Sequence, residues 1–434
     1  MKKVITYGTF DLFHQGHYNI LKRAKEYGDY LIVGVTGENY DIGRGKLSVH
    51  DSLATRIENV KKTGFADEII VEEYLGQKIQ DIVCRGVDTF VIGDDWKGKF
   101  DHLGKYCNMV YLERTRGVSS TMLREEKFHT YLIGLVADIA DDNQIVSEAA
   151  EVGDFKVASV YSEDDDVKKE LQKKYGIEHS SKSLDSLIRK CEIVYIRTSV
   201  EKRADIIEKA LRAGRHVICD PPFALKADKQ KELLDLAREN NVILIENIKM
   251  VHIHVFNQLL WYTQGGLIGD ILSFNCSISR IDQSRDNIFD DLLYMALCPT
   301  LKIMGLDYSN IDVQLTGENG TVDFASIDFK YKRGRVIINV GNNVKIRNRL
   351  EIVGSKGTIR VEGNWWRGNY FELEEPDNDE VQIFNTNYHG NGFKYLLRAV
   401  SSMIEDNRID SMGMLRSESM KAAEIIETVD SYRK

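Results

Sequence analysis

The chain has 434 residues, enough for two or three domains at roughly 150 residues each. Its 43% hydrophobic and 29% charged content is that of a globular protein, and its net charge of −9 argues against a broad basic surface, so no nucleic-acid partner is expected. Cys84, Cys107, Cys191, Cys219, Cys276 and Cys298 form no CxxC pair, which points to reduced thiols in a cytoplasmic protein without a zinc site. No signal peptide and no membrane span is expected.

In chain order, the first 126 residues alternate strand and helix. Strands are predicted at 3–7, 30–35, 68–71, 89–92 and 109–112, with helices at 17–27, 51–63 and 76–84 and a short one near 100–105. Alternation of this kind predicts a parallel α/β sheet with helices on both faces and a ligand site at the carboxyl ends of its strands. Three loops fall at that edge: Thr9–His17, Gly93–Trp96 and Arg114–Thr121. His14 and His17 are spaced i, i+3 at a helix start, which places both rings on one face. A helix N-terminus with unpaired N–H groups and two imidazoles is a place that favours phosphate.

Residues 127–130 read as a linker, after which strand–helix alternation resumes. Strands are predicted at 155–160, 192–197, 215–219 and 242–246 after one that starts at Tyr131, with intervening helices, giving a Rossmann-type sheet over 131–250. From 251 to 434 the pattern is strand-rich, with closing helices at 391–405 and 415–432, and reads as an α+β domain on an open, largely antiparallel sheet.

The first unit resembles the glycerol-3-phosphate cytidylyltransferases of the HxGH nucleotidyltransferase superfamily. The residues that carry the likeness are Gly8-Thr9-Phe10-Asp11, His14-Gln15-Gly16-His17, Gly93-Asp94-Asp95-Trp96 and Arg114-Thr115-Arg116-Gly117-Val118-Ser119-Ser120-Thr121. The resemblance implies a CMP transfer from CTP to a glycerol phosphate, with Mg²⁺ on the triphosphate and no metal ligand assigned to the protein. It implies catalytic roles for His14, His17, Lys46 and Arg114. It implies nucleotide contacts from Gly8, Thr9, Phe10, Asp11, Gly16, Asp95, Thr115, Gly117, Ser119, Ser120 and Thr121. Arg44, Arg56 and Lys78 fall at acceptor-side positions, Arg44 where the family has lysine. Leu75 replaces a family tryptophan, and one extra residue lies between Lys46 and Arg56. These changes leave glycerol-2-phosphate or another small polyol phosphate open as acceptor.

Residues 131–434 resemble the glucose–fructose oxidoreductase and inositol dehydrogenase-like family, through Ala213–Pro222, Gly354–Ile359 and Gly392–Tyr395. That resemblance implies NAD(P). The residues depart from it: Gly134–Ala140 is not G-x-G-x-x-G, the acid for a ribose is at best Glu163, and Pro221 stands where the family has its lysine. The family's later active-site residues fall on Tyr294 and on Cys298 or Lys302. The sequence therefore predicts a degenerate oxidoreductase with an assembly, binding or regulatory role, in a homodimer or higher homo-oligomer. A working NAD(P)-dependent reductase, making the chain bifunctional, is the alternative.

Overall fold

Val4, Ile5, Thr6 and Tyr7 are all buried, as the central strand of a sheet covered on both faces requires. They lie in β1 (Lys3–Gly8) of a computed structural model. It describes residues 1–43, 49–74, 76–113, 115, 129–139, 145–177, 179–281, 288–318, 321–376, 380–386, 388 and 390–433. The chain divides into two compact units, residues 1–130 with 151–154, and 131–150 with 155–434.

The first unit continues through α1 (Gln15–Lys25), β2 (Tyr30–Thr36), α2 (Glu38–Gly43), α3 (Leu53–Lys62), β3 (Glu68–Glu72), α4 (Gln77–Arg85), β4 (Thr89–Gly93) and β5 (Asn108–Leu112). The five strands pair in parallel in the order β3-β2-β1-β4-β5. Alternate residues of β1 serve opposite faces. Val4 packs with Leu21, Val33, Val60 and Val91, while Ile5 and Tyr7 pack with Ile32, Ile82 and Phe90.

The second unit holds two sheets. The first has β6 (Tyr131–Ala137), α5 (Ile145–Val152), β7 (Phe155–Tyr161), α6 (Asp165–Tyr175), α7 (Leu184–Lys190), β8 (Ile193–Arg197), α8 (Val200–Arg212), β9 (His216–Cys219), α9 (Ala227–Glu239) and β10 (Leu244–Glu246). Its parallel order is β10-β9-β8-β6-β7. The second sheet follows α10 (His254–Gln264). It comprises β11 (Ile271–Arg280), then, after α11 (Phe289–Met304), β12 (Tyr308–Thr316), β13 (Phe324–Tyr331), β14 (Arg335–Asn342), β15 (Arg349–Gly354), β16 (Thr358–Glu362), β17 (Tyr370–Glu374) and β18 (Gln382–Asn385). The order is β12-β13-β14-β11-β15-β16-β17-β18, antiparallel apart from the β11–β14 pair. Two helices, α12 (Phe393–Glu405) and α13 (Arg416–Asp430), close the chain. Among the described residues no helix is long and apolar enough to cross a membrane.

The sequence pattern did not announce α2, α10, α11 or β18. Helix α11 has twelve of its sixteen residues buried, so it carries no polar face and no amphipathic period to read. It is tied to the parallel sheet by Arg203 of α8, which is fully buried. The Arg203 guanidinium donates from Nε to the Thr198 carbonyl (3.1 Å) and from Nη1 to the Pro222 carbonyl (3.1 Å). It also grips Asp291 through Nη1 (2.8 Å) and Nη2 (3.1 Å). Removing one partner of such a pair strands the other groups, so Arg203→Met is expected to lower unfolding stability by about 3 kcal/mol. Urea unfolding followed by tryptophan fluorescence checks this; a loss near zero would show that the pair does not hold α11 to the parallel sheet.

Candidate active site

The loop from β1 to α1 is held in an uncommon shape. Phe10 and Leu12 both have left-handed backbone, at φ 56° and 46°, a conformation that costs a non-glycine residue about 1–3 kcal/mol unless its surroundings impose it. Those surroundings are visible. The Phe10 ring is buried and meets His17 edge-on, with centroids 5.4 Å apart. Gly8 leaves the space for it, since a Cβ there would lie 2.9 Å from the Phe10 ring.

The loop delivers His14 as the N-cap of α1. The helix begins at Gln15, earlier than the spacing predicts, because the His14 side chain starts it: Nδ1 accepts the Gly16 N–H at 3.0 Å. An acceptor Nδ1 places the proton of the neutral ring on Nε2. The two imidazoles are stacked, with centroids 3.9 Å apart and planes 21° apart. No acidic residue stands in the first turn of α1, while Lys22, Arg23 and Lys25 occupy its last turn, so side-chain charge and helix dipole agree.

A buried polar frame fixes this loop. Asp11 Oδ1 accepts the N–H groups of His50 (2.9 Å) and Asp51 (2.8 Å), and Asp51 Oδ2 accepts the Leu12 N–H (2.9 Å). Arg56 has no exposed surface. Its Nη1 donates to the carbonyls of Thr9 (3.0 Å) and Thr36 (2.8 Å), and its Nε to that of Asp51 (3.0 Å). Arg56, expected on the acceptor side, lies inside the frame, where it joins the ends of β1 and β2 to α3, with its Nη2 left without a hydrogen-bond partner among the described residues. Phe10 and Asp11, expected as nucleotide contacts, are buried.

Thr9 is buried at the end of β1, and Asp95 is exposed in a short 3-10 turn after β4. Thr115 Oγ1 accepts from Asn19 Nδ2 at 3.2 Å, and Arg23 Nη1 donates to the Glu113 carbonyl at 2.8 Å. Asn19 and Arg23, spaced i, i+4 on α1, thus hold the segment after β5 against the helix that His14 caps. Sequence reasoning missed both, along with Asp51; the four-residue spacing was the available signal. Lys78, in the first turn of α4, pairs with the buried carboxylate of Glu72. Arg44, Lys46, Arg114, Gly117, Ser119, Ser120 and Thr121 lie outside the described residues.

A cytidylyltransferase-like family model matches residues 5–126. The glycerol-3-phosphate cytidylyltransferase of Bacillus spizizenii is 51% identical over 126 residues, which is 29% of this chain and 97% of that protein. The chain belongs to the glycerol-3-phosphate cytidylyltransferase family. Membership rests on the N-terminal unit, and it makes the chain a nucleotidyltransferase. The ethanolamine-phosphate cytidylyltransferase of Dictyostelium discoideum is 35% identical over 129 residues, covering 28% of this chain and 35% of that protein. Residues 131–248 match a model of the oxidoreductase family with an NAD-binding Rossmann fold. A 3-ketoreductase from Actinomadura kijaniata, solved with NADP and TDP-benzene, superposes with a TM-score of 0.61 at 18% identity, over 70% of this chain and 98% of that one. That likeness shows the fold.

In the oxidoreductase-like unit of this cytidylyltransferase family member, Asp138 follows β6 and accepts the Ser199 N–H through Oδ2 (2.9 Å). Lys202 bridges Asp138 (3.4 Å) and Glu163 (2.7 Å), joining the two acids that follow β6 and β7. Tyr294 and Cys298 have no exposed surface. The Tyr294 hydroxyl meets Glu246 Oε1 (3.0 Å) and Ser419 Oγ (3.3 Å). Burial pushes the Glu246 carboxyl up, against the donors Ser419 and Tyr294, and burial together with Glu246 pushes the Tyr294 phenol up.

The frame predicts a graded result at Asp11. Asp11→Ala strands two backbone donors and should lower the stability of the N-terminal unit by about 1–3 kcal/mol and reduce turnover. Asp11→Asn keeps an acceptor at the same place and should sit closer to wild type in both. Equal loss in the two variants, measured by thermal melts and pyrophosphate release, would contradict a framing role.

Proposed function

We propose that this cytidylyltransferase moves CMP from CTP to a glycerol phosphate, giving CDP-glycerol and pyrophosphate for a cell-surface polymer, in the cytoplasm and as a homodimer or higher homo-oligomer. Glycerol-3-phosphate is the acceptor favoured by the 51% identical relative named for it; glycerol-2-phosphate or another polyol phosphate is the variant reading. An acceptor phosphate oxygen attacks the α-phosphorus of CTP, and the bond to the pyrophosphate oxygen breaks. The nucleophile is already anionic, so the protein's work is positioning and charge stabilisation.

The observation that carries this reading is the His14 cap. Its Nδ1 accepts the Gly16 N–H, which puts the proton of a neutral ring on Nε2, the atom that would donate to a phosphate oxygen where negative charge builds. His17, stacked on it, supplies the second imidazole. Lys46 and Arg114 would neutralise the triphosphate, and Gly117, Ser119, Ser120 and Thr121 would line it. Mg²⁺ supplies charge neutralisation on the triphosphate. Asp11 Oδ1 is already occupied by two backbone N–H groups, which favours phosphate oxygens and water as the main metal ligands.

For the second unit we propose a degenerate oxidoreductase that serves assembly, binding or regulation. Its residues do not fit hydride transfer with NAD(P): Pro221 has no proton to give, Tyr294 and Cys298 are sealed in the core, and Lys202 links the acids that follow β6 and β7.

His14→Ala and His17→Ala should each lower kcat about 100- to 1,000-fold. His14→Asn should recover the helix cap, worth about 1 kcal/mol, without recovering turnover. Full activity in both alanine variants would contradict the proposal. Titration with NADH and NADPH tests the second unit: no substrate-dependent oxidation is expected, and its appearance would establish the bifunctional alternative.

A further inference from the structure

Three segments at the carboxyl edge of the first sheet build a box around a cation carried by a fourth. Lys78 Nζ lies 4.6 Å from the centroid of the Tyr7 ring, 5.4 Å from that of Phe100 and 5.9 Å from that of Tyr40. Tyr7 ends β1, Tyr40 is on α2 after β2, Lys78 opens α4 after β3, and Phe100 follows β4. The Tyr7 ring lies against Gly34 of β2, where any Cβ would fall 2.2 Å from it. Its hydroxyl donates to Asp81 at 2.7 Å, and burial together with that bond pushes its pKa up, so the ring stays neutral. The ammonium also pairs with Glu72, whose side chain is 1% exposed and whose Oε2 has no hydrogen-bond partner among the described residues.

Aromatic faces around a carboxylate are the chemistry that binds an ammonium group. Here the box is filled from within, by a lysine whose own side chain is 12% exposed. We propose that Lys78 is a specificity-determining residue: its tethered ammonium occupies the place an ammonium-bearing acceptor would take, and so restricts the enzyme to neutral polyol phosphates. This rests on the acceptor-side reading above and deepens it. A phosphate ester of an amino alcohol that approached the box would meet a like charge and find the carboxylate already paired. A polyol phosphate meets neither obstacle, and the ammonium can donate a hydrogen bond to a polyol hydroxyl at that place. The transfer itself is unchanged: the acceptor phosphate oxygen bonds to the α-phosphorus and pyrophosphate leaves.

The test uses the full chain with CTP and three acceptors, glycerol-3-phosphate, phosphoethanolamine and phosphocholine, together with calorimetric binding of tetramethylammonium. Wild type and Lys78→Arg should use only the first acceptor and bind no tetramethylammonium. Lys78→Met should bind tetramethylammonium, gain about tenfold in kcat/KM for phosphocholine and lose about tenfold for glycerol-3-phosphate, a gain of roughly 1.4 kcal/mol being within the reach of a cation–π box. Adding Glu72→Gln should remove what was gained. Lys78→Gln, which keeps the length of the side chain, is the second variant should Lys78→Met unfold. A folded Lys78→Met or Lys78→Gln that binds no tetramethylammonium and uses no cationic acceptor overturns the proposal. Wild type that releases no pyrophosphate with any of the three acceptors overturns the acceptor reading instead, and tetramethylammonium binding then still decides the box.

Discussion

One backbone N–H organises the catalytic end of this protein. The Gly16 amide donates to His14 Nδ1, and that single bond starts a helix, fixes a tautomer and aims a ring. A serine or aspartate would cap the helix as well. Only histidine caps it with one nitrogen and keeps an N–H donor on the other. The left-handed residues Phe10 and Leu12, the carboxylates of Asp11 and Asp51 and the buried guanidinium of Arg56 all serve to bring His14 to that place. All but the half-buried Asp51 are buried, because a loop with this much strain persists only when its surroundings over-determine it.

Each unit has one buried arginine that ties its own strand ends to a helix, and both follow the same logic. Arg56 gathers the carbonyls of Thr9, Thr36 and Asp51; Arg203 gathers those of Thr198 and Pro222 and closes on Asp291. A guanidinium suits this work because its donors radiate in a fixed plane and its charge persists when buried. In the first unit the result is an exact loop beside the candidate site. In the second it is a sheet and a helix locked together around side chains, Tyr294 and Cys298, that face no solvent.

What the sequence disclosed depended on period and charge. The two parallel sheets were legible because apolar runs alternate with amphipathic helices, and the strand β1 with its histidine loop stood out by motif. Helix α11 was not, because a segment buried on nearly every side has no period. The start of α1 was misplaced, because a histidine cap lacks the usual signature of serine, threonine or aspartate. The role of Arg56 was hidden for a different reason. A cation in a helix reads as a surface or substrate group, and only tertiary structure shows that it gathers the carbonyls of Thr9, Thr36 and Asp51 and lies beside the carboxylate of Asp41. Lys78 was placed near the acceptor by resemblance, yet its aromatic box comes from three separate segments and leaves no local trace.

The most direct test of the account is the protonation of the His14 ring, read by nitrogen-15 NMR of the imidazole before and after addition of CTP with Mg²⁺. The account predicts an unprotonated Nδ1 and a protonated Nε2 in the free protein, with Nε2–H shifting when the triphosphate binds. A proton on Nδ1, or an Nε2 signal indifferent to CTP, would contradict it.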